Sequence, residues 1–389
     1  MFASRTDWNL ASNRLAEALA AARRQGREVL DLTESNPTRC GFHYDQAAIL
    51  AALAEPGSLD YRPEPLGLTS ARQAIAGYYN DRGENVSPDS ILLTTSTSEA
   101  YSFLFRLLCD PGDEVLVPRP SYPLFEFLAG IQDVRLSPYP LFYDHGWHID
   151  RHALDSAVST RTRALVVVHP NNPTGNFLKL EEAESLAHMC ASRGLGLIAD
   201  EVFLDFTLSA AARRSFATET AALTFTLSGL SKLAGLPQMK IAWMAVTGPP
   251  ELTRSAMDRL EVIADTYLSM NTPVQLAVPR LLRTRQDFLA QARDRLAENL
   301  ATLDRLLAAP SSCQRLEVEG GWYAVLRVPA TQPDEDLALA LLDRHGVLLH
   351  PGHFYDFPSE GHLVLSLLTP PAIFSEGLSR TLACLQGLT

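Results

Sequence analysis

The sequence predicts an α/β fold: a large, mainly parallel sheet covered on both faces by helices, followed by a smaller α+β domain. Two observations predict it. Between residues 90 and 230, short aliphatic runs bounded by Gly, Pro or Asp alternate with helical patterns. Such alternation builds crossover connections between parallel strands. Beyond residue 310 the chain instead mixes strand-like and helical stretches at closer spacing.

In chain order, residues 8–30 read as an amphipathic helix with Arg14, Arg23, Arg24 and Arg27 on its polar side. Strands are expected over 91–93, 114–117, 164–168, 195–199 and 224–227, each short and rich in aliphatic or β-branched residues. Helices are expected between them over 99–108 and 180–192. From 249 to 309 the pattern is helical, with a break at Asn271-Thr272-Pro273, since proline interrupts the backbone hydrogen bonding of a helix. The C-terminal part reads as strand over 321–328, helix over 334–345 and strand over 363–367. Neither an internal repeat nor a flexible linker is evident.

Composition narrows the function classes. The chain has 389 residues, 46% of them hydrophobic and 20% charged, the balance of a globular protein. At roughly 150 residues per domain this length predicts two or three domains. A formal charge of −12 disfavours nucleic acid and anionic membrane surfaces, both of which need basic faces. The five cysteines (Cys40, Cys109, Cys190, Cys313 and Cys384) form no CxxC and read as reduced thiols. No apolar run approaches the roughly 20 residues that span a bilayer, and no secretory signal pattern opens the chain. The expected compartment is the cytoplasm.

In open α/β sheets, ligands bind outside the carboxyl ends of the strands. Run 164–168 is followed by His169-Pro170-Asn171-Asn172-Pro173-Thr174-Gly175, run 195–199 by Asp200-Glu201, and run 224–227 by Ser228-Gly229-Leu230-Ser231-Lys232. Three consecutive strand ends thus deliver an amide, a carboxylate and an amine to one rim. A buried carboxylate needs a cationic partner, and a lysine amine so placed is poised for imine and proton-transfer chemistry.

These residues also carry a resemblance. Asn171-Asn172-Pro173-Thr174-Gly175, Ala199-Asp200-Glu201-Val202-Phe203 and Ser231-Lys232 follow Pro111-Gly112-Asp113-Glu114-Val115, Pro118 and Pro120-Ser121-Tyr122-Pro123. In order and spacing the chain resembles the class I/II aminotransferases of pyridoxal-phosphate (PLP) fold type I over nearly its whole length. That resemblance implies a seven-stranded, mainly parallel large domain over 46–285, a small domain from 1–45 and 286–389, and a homodimer. It implies PLP as cofactor, with Lys232 as Schiff-base lysine and general acid/base. Asp200 would pair with the pyridinium, Asn172 would bond the ring oxygen and Tyr122 would stack on the ring. Ser96, Thr97 and Ser98, opening the helix near residue 99, would cradle the phosphate, as a helix N-terminus suits an anion. Lys240 would join them where arginine is commoner, and Tyr61 would reach a neighbouring subunit's phosphate. The implied reaction moves an amino group from an amino acid or amine to a 2-oxo acid. A β-eliminating lyase or a non-catalytic PLP-binding regulator could use the same scaffold.

Three positions depart from the family pattern. Phe203 stands where a tyrosine usually donates to the ring oxygen. Gly229 stands three residues before Lys232, where a phosphate-binding serine is common, with Ser228 and Ser231 as neighbours that could compensate. His362-Leu363-Val364-Leu365-Ser366 places Val364 where the family carries an arginine for the substrate α-carboxylate. Valine cannot make that bidentate bond, so Arg39 or Arg62 would have to replace it, or the substrate is not an ordinary α-amino acid. The pairs His145/His148 and His350/His353 lack accompanying carboxylate ligands, so no metal is expected. GxGxxG, GK[ST], HExxH and GxSxG signatures are missing, which disfavours dinucleotide, nucleotide, zinc-protease and serine-hydrolase readings.

Overall fold

Short aliphatic runs flanked by turn formers become the strands of one large sheet in the computed structural model, which describes residues 1–209, 214–308 and 312–386. Its strands are β1 (Ile91–Thr94), β2 (Glu114–Arg119), β3 (Arg135–Tyr143), β4 (Trp147–Ile149), β5 (Thr162–Val168), β6 (Gly196–Asp200), β7 (Thr224–Gly229) and β8 (Ala242–Thr247). They lie in the order β1-β8-β7-β6-β5-β2-β3-β4. The five strands from β7 to β3 run parallel. β8 is antiparallel to both β7 and β1, and β4 is antiparallel to β3. Central strands such as β6 are buried at every residue, as a sheet covered on both faces requires.

The sheet therefore has eight strands rather than the expected seven. The additional strand arises because β3 turns back through residues 144–146 and pairs with Trp147–Ile149. Pro138 and Pro140 sit in the part of β3 that pairs only with β2, where a missing N–H can face away from the ladder. Those prolines also mask the strand in the sequence.

The first helix is shorter than the expected 8–30 and spans Arg14–Arg24. Asn13 caps it by accepting from the Ala16 N–H, and Gly26, at φ 68°, turns the chain away after it. The expected break near residue 271 is real: one helix spans Pro250–Thr266 and a second spans Thr272–Leu307, with the Asn271 side chain capping Val274. The second packs on Gln46–Leu53 and Thr69–Asn80 as well as on the C-terminal helix Pro371–Gln386. It thus ties the large sheet's surroundings to the C-terminal part.

That part holds a four-stranded antiparallel sheet ordered Gln314–Arg315, Tyr323–Arg327, His362–Ser366, His350–Pro351. The N-terminal strand Leu30–Asp31 returns to it, pairing in parallel with Val347–Leu348. One apolar core joins Leu32, Leu365 and Phe374 to Trp243 and Phe288, so the N-terminal segment is anchored by burial as well as by pairing. No helix among the described residues is long and apolar enough to cross a membrane.

Candidate active site

The sheet's topology brings three of the expected site residues to one rim. Asn172 follows β5, Asp200 ends β6, and Lys232 lies in the short helix Leu230–Leu233 that begins where β7 stops. All three line a cavity of about 540 Å³, and Ser96, Thr97, Ser98, Tyr122 and Lys240 line it too. Tyr61 does not; its side chain is 73% exposed on the surface.

Asp200 is buried and its carboxylate is well held. Tyr101 Oη donates to its Oδ2 at 3.1 Å and the Val202 N–H donates to its Oδ1 at 3.2 Å. Desolvation pushes its pKa up to about 6, against the opposing pull of those two donors and of Lys232. Desolvation acts in the opposite sense on Lys232, pulling the amine down to about 8 against the attraction of Asp200. Lys232 Nζ lies 4.8 Å from the Trp322 ring centroid and 5.6 Å from that of Phe203. An amine so placed has a substantial neutral, nucleophilic fraction near physiological pH.

The adjacent asparagines divide the labour. Asn171 Nδ2 donates to the Pro120 carbonyl at 3.1 Å and to Thr174 Oγ1 at 2.7 Å, so it holds the turn. Asn172 Oδ1 is buried without a partner among the described residues, while its side chain faces the cavity. Buried polar atoms rarely stay unpaired, so this amide marks where a polar ligand belongs.

The residues expected to cradle an anion line the same cavity. Ser96 caps the helix Thr97–Leu108, its Oγ accepting from the Glu99 N–H at 3.1 Å, while Glu99 accepts from the Thr95 N–H at 2.7 Å. A helix's first backbone N–H groups have no acceptor within it, and Ser96, Thr97 and Ser98 at this helix start line the cavity. Lys240, held in the left-handed region at φ 50°, adds an ammonium.

The departures at Phe203 and Gly229 have local explanations. Phe203 is buried, 5.2 Å from Trp322 between ring centroids, and forms part of the apolar shell beside Lys232. Gly229 has an extended backbone, but a Cβ there would lie 2.9 Å from the Ala242 Cβ and 3.0 Å from the Ile241 carbonyl oxygen. A serine therefore does not fit, and of its two neighbours Ser231 lines the cavity. Gly229→Ser is expected to destabilise the protein by about 1–3 kcal/mol through overpacking. The check is thermal melting; an unchanged midpoint would refute the steric account.

Sequence reasoning missed Tyr101, the donor to Asp200, and several lining residues. Tyr101 was findable, since it stands one helical turn after Thr97 and shares its face. Tyr323 and His350 had no spacing signal, because long-range pairing of the C-terminal strands places them there, while Ser35 and Tyr355 reach the cavity from the N-terminal loop and the short helix Gly352–Tyr355. Neither Arg39 nor Arg62 lines the cavity; both are exposed, and Arg62 pairs with Asp60 at 3.2 Å.

The model of the aminotransferase class I and II family matches residues 27–372. The chain belongs to that family. The aminotransferase is 26% identical over 348 residues to glutamate-pyruvate aminotransferase AlaA of Haemophilus influenzae, covering 87% of this chain and 86% of that protein. It is 29% identical over 356 residues to an alanine aminotransferase of Mycobacterium bovis, covering 88% and 82%. Among solved structures it is similar to an aminotransferase from Escherichia coli, with TM-score 0.88 and 25% identity over 100% and 98% of the two chains. Its fold also matches a Thermus thermophilus aspartate aminotransferase mutant, at TM-score 0.86 and 24% identity over 99% and 100%. The protein is a PLP-dependent enzyme of fold type I. The cavity suits that cofactor: an unpaired amide, a buried carboxylate able to accept a cation, an amine and a helix start of the kind that suits an anion share it.

Proposed function

We propose that transamination takes place in this cavity, with Lys232 as the covalent attachment point of the cofactor and the carrier of the transferred proton. The observation that supports this most is the meeting of Lys232 and Asp200, whose buried amine and carboxyl are driven toward each other in pKa, to about 8 and about 6. Asp200 would hold the ring nitrogen, Asn172 the ring oxygen and Tyr122 the ring face. Ser96, Thr97, Ser98 and Lys240 would hold the phosphate, and Tyr61 of a second copy would complete that site in a homodimer. When bound, PLP supplies an electron sink for the carbon that loses its proton.

The protein's own groups do the rest. With a pKa near 8, Lys232 Nζ accepts and returns a proton without a large energetic penalty in either direction near neutral pH. Tyr101 and the Val202 N–H fix the Asp200 carboxylate in place, so its charge is pre-oriented. Trp322 and Phe203 cover the approach to Nζ with apolar surface and keep bulk water off it. The reading includes a large domain over 46–285 and a small one from 1–45 and 286–389, supported by the pairing of Leu30–Asp31 with Val347–Leu348. It also places the protein in the cytoplasm, in keeping with five free cysteines.

The test is the visible spectrum of purified protein during addition of amine donors and then carbonyl acceptors, with sedimentation of the same sample. A cofactor band bleached by a donor and restored by an acceptor, on a particle of twice the chain mass, is the expected result. Release of ammonia without an acceptor would mean elimination instead. A band that no donor changes would mean a binding protein without turnover.

A further inference from the structure

Val364 sits on the strand His362–Ser366 with Val325 and His350 as cross-strand partners. Side chains opposite each other share a sheet face, so Val364 shares its face with His350 and, two residues from Val325, with Tyr323. Tyr323 and His350 both line the cavity, together with Tyr355, whose hydroxyl lies 3.0 Å from His350 Nδ1. Where the family carries a guanidinium, the cavity wall therefore presents an imidazole and phenols, with Val364 buried behind them.

The charge around this wall is unfavourable to anions. Among the described lining residues the lysines and arginines are Lys232 and Lys240 alone, and the proposed cofactor site uses both. Burial holds His350 below the usual imidazole range, so it is mostly neutral at pH 7. The carboxylates of Asp31 and Glu34 stand near enough to act on His350 and Tyr323. A substrate carboxylate against this wall would be desolvated without a cationic partner from this chain. A hydroxyl would find both donors and acceptors there.

Resting on the PLP transaminase reading, we infer that the group beside the reacting amine of the substrate is uncharged, so that the site takes amines and amino alcohols in preference to α-amino acids. His350 and Tyr355 are its specificity-determining residues. In the exchange, the donor carbon gives up its amino group and one hydrogen and takes the acceptor's oxygen, while the acceptor carbon does the reverse. No external oxidant is needed, and the carbonyl counterparts are aldehydes and hydroxyketones.

The test is calorimetric binding to cofactor-loaded protein of two matched sets: phenylalanine, phenylalaninol and 2-phenylethylamine; leucine, leucinol and 3-methylbutylamine. The alcohol or the amine of a set is expected to bind about 10-fold tighter than its amino acid, or better. Val364→Arg is expected to reverse that order. His350→Ala is expected to weaken alcohol binding about 10-fold while leaving the simple amine nearly unchanged, and it decides the matter where Val364→Arg does not fold. Tighter binding of either amino acid than of its alcohol and amine overturns the inference, as does failure of every alcohol and amine to bind. The cofactor absorbance band is recorded before each titration. Its absence would sink the underlying PLP-site reading, whereas a normal band with an amino-acid preference would sink only the substrate class.

Discussion

Lys232→Met is expected to cut transamination by roughly 10⁴-fold or more while raising the melting temperature of the cofactor-free protein. The two effects share one cause. Burial pulls the Lys232 amine from 10.5 down to about 8, so the folded chain binds this proton less tightly than the unfolded chain does. A depressed folded-state pKa means that the stability contribution is complete above pH 10.5 and is lost as pH falls through 8. At pH 7 the loss is on the order of 3 kcal/mol by that difference in pKa. Methionine removes the charge and keeps an unbranched apolar chain against Trp322 and Phe203. The measurement is differential scanning calorimetry of both cofactor-free proteins from pH 7 to pH 10. The stabilisation should be greatest at pH 7 and shrink toward pH 10. A variant less stable than wild type at pH 7 would show that the amine sits in a better-solvated place than its surroundings imply.

The rim of the parallel sheet was legible because each functional group follows its own strand within a few residues. Asn172, Asp200 and Lys232 come right after aliphatic runs, and local sequence decides where such a run ends. The helix start at the cavity was legible for the same reason, through Ser96 and its capping partner Glu99. What was not legible depends on pairing across long sequence distances. His350 faces the cavity because it pairs with Val364 and joins the wall of Tyr323, and nothing near His350 in sequence announces that. The β3–β4 hairpin was hidden by Pro138 and Pro140, tolerated only because one side of β3 is open there. Gly229 could not be explained from sequence either: its reason is the approach of Ala242 on the neighbouring antiparallel strand. Strand ends are local facts, whereas walls of cavities are products of the whole topology.

Asp200→Asn separates the cost of the site from its use. The carboxyl is raised from 3.8 to about 6 chiefly by desolvation, so ionised Asp200 burdens the folded chain in the absence of a cation beside it. Its stabilising contribution is complete below pH 3.8 and is lost as pH rises through 6. Cofactor-free Asp200→Asn should therefore gain stability over wild type between pH 4 and pH 6, by on the order of 2–3 kcal/mol, with a level difference from there to neutral pH. With cofactor and substrates the sign reverses. The asparagine cannot stabilise a cationic ring nitrogen, and turnover should drop by roughly 10²–10³-fold, the scale of one lost preorganised charge partner. Tyr101→Phe gives the control. It removes the 3.1 Å donor that holds the Asp200 pKa down, so the acid limb of the pH–rate profile should move to higher pH with a smaller loss at the optimum. Asp200→Asn with near wild-type turnover would remove Asp200 from the catalytic set, and an unmoved acid limb in Tyr101→Phe would detach that limb from the Asp200 carboxyl.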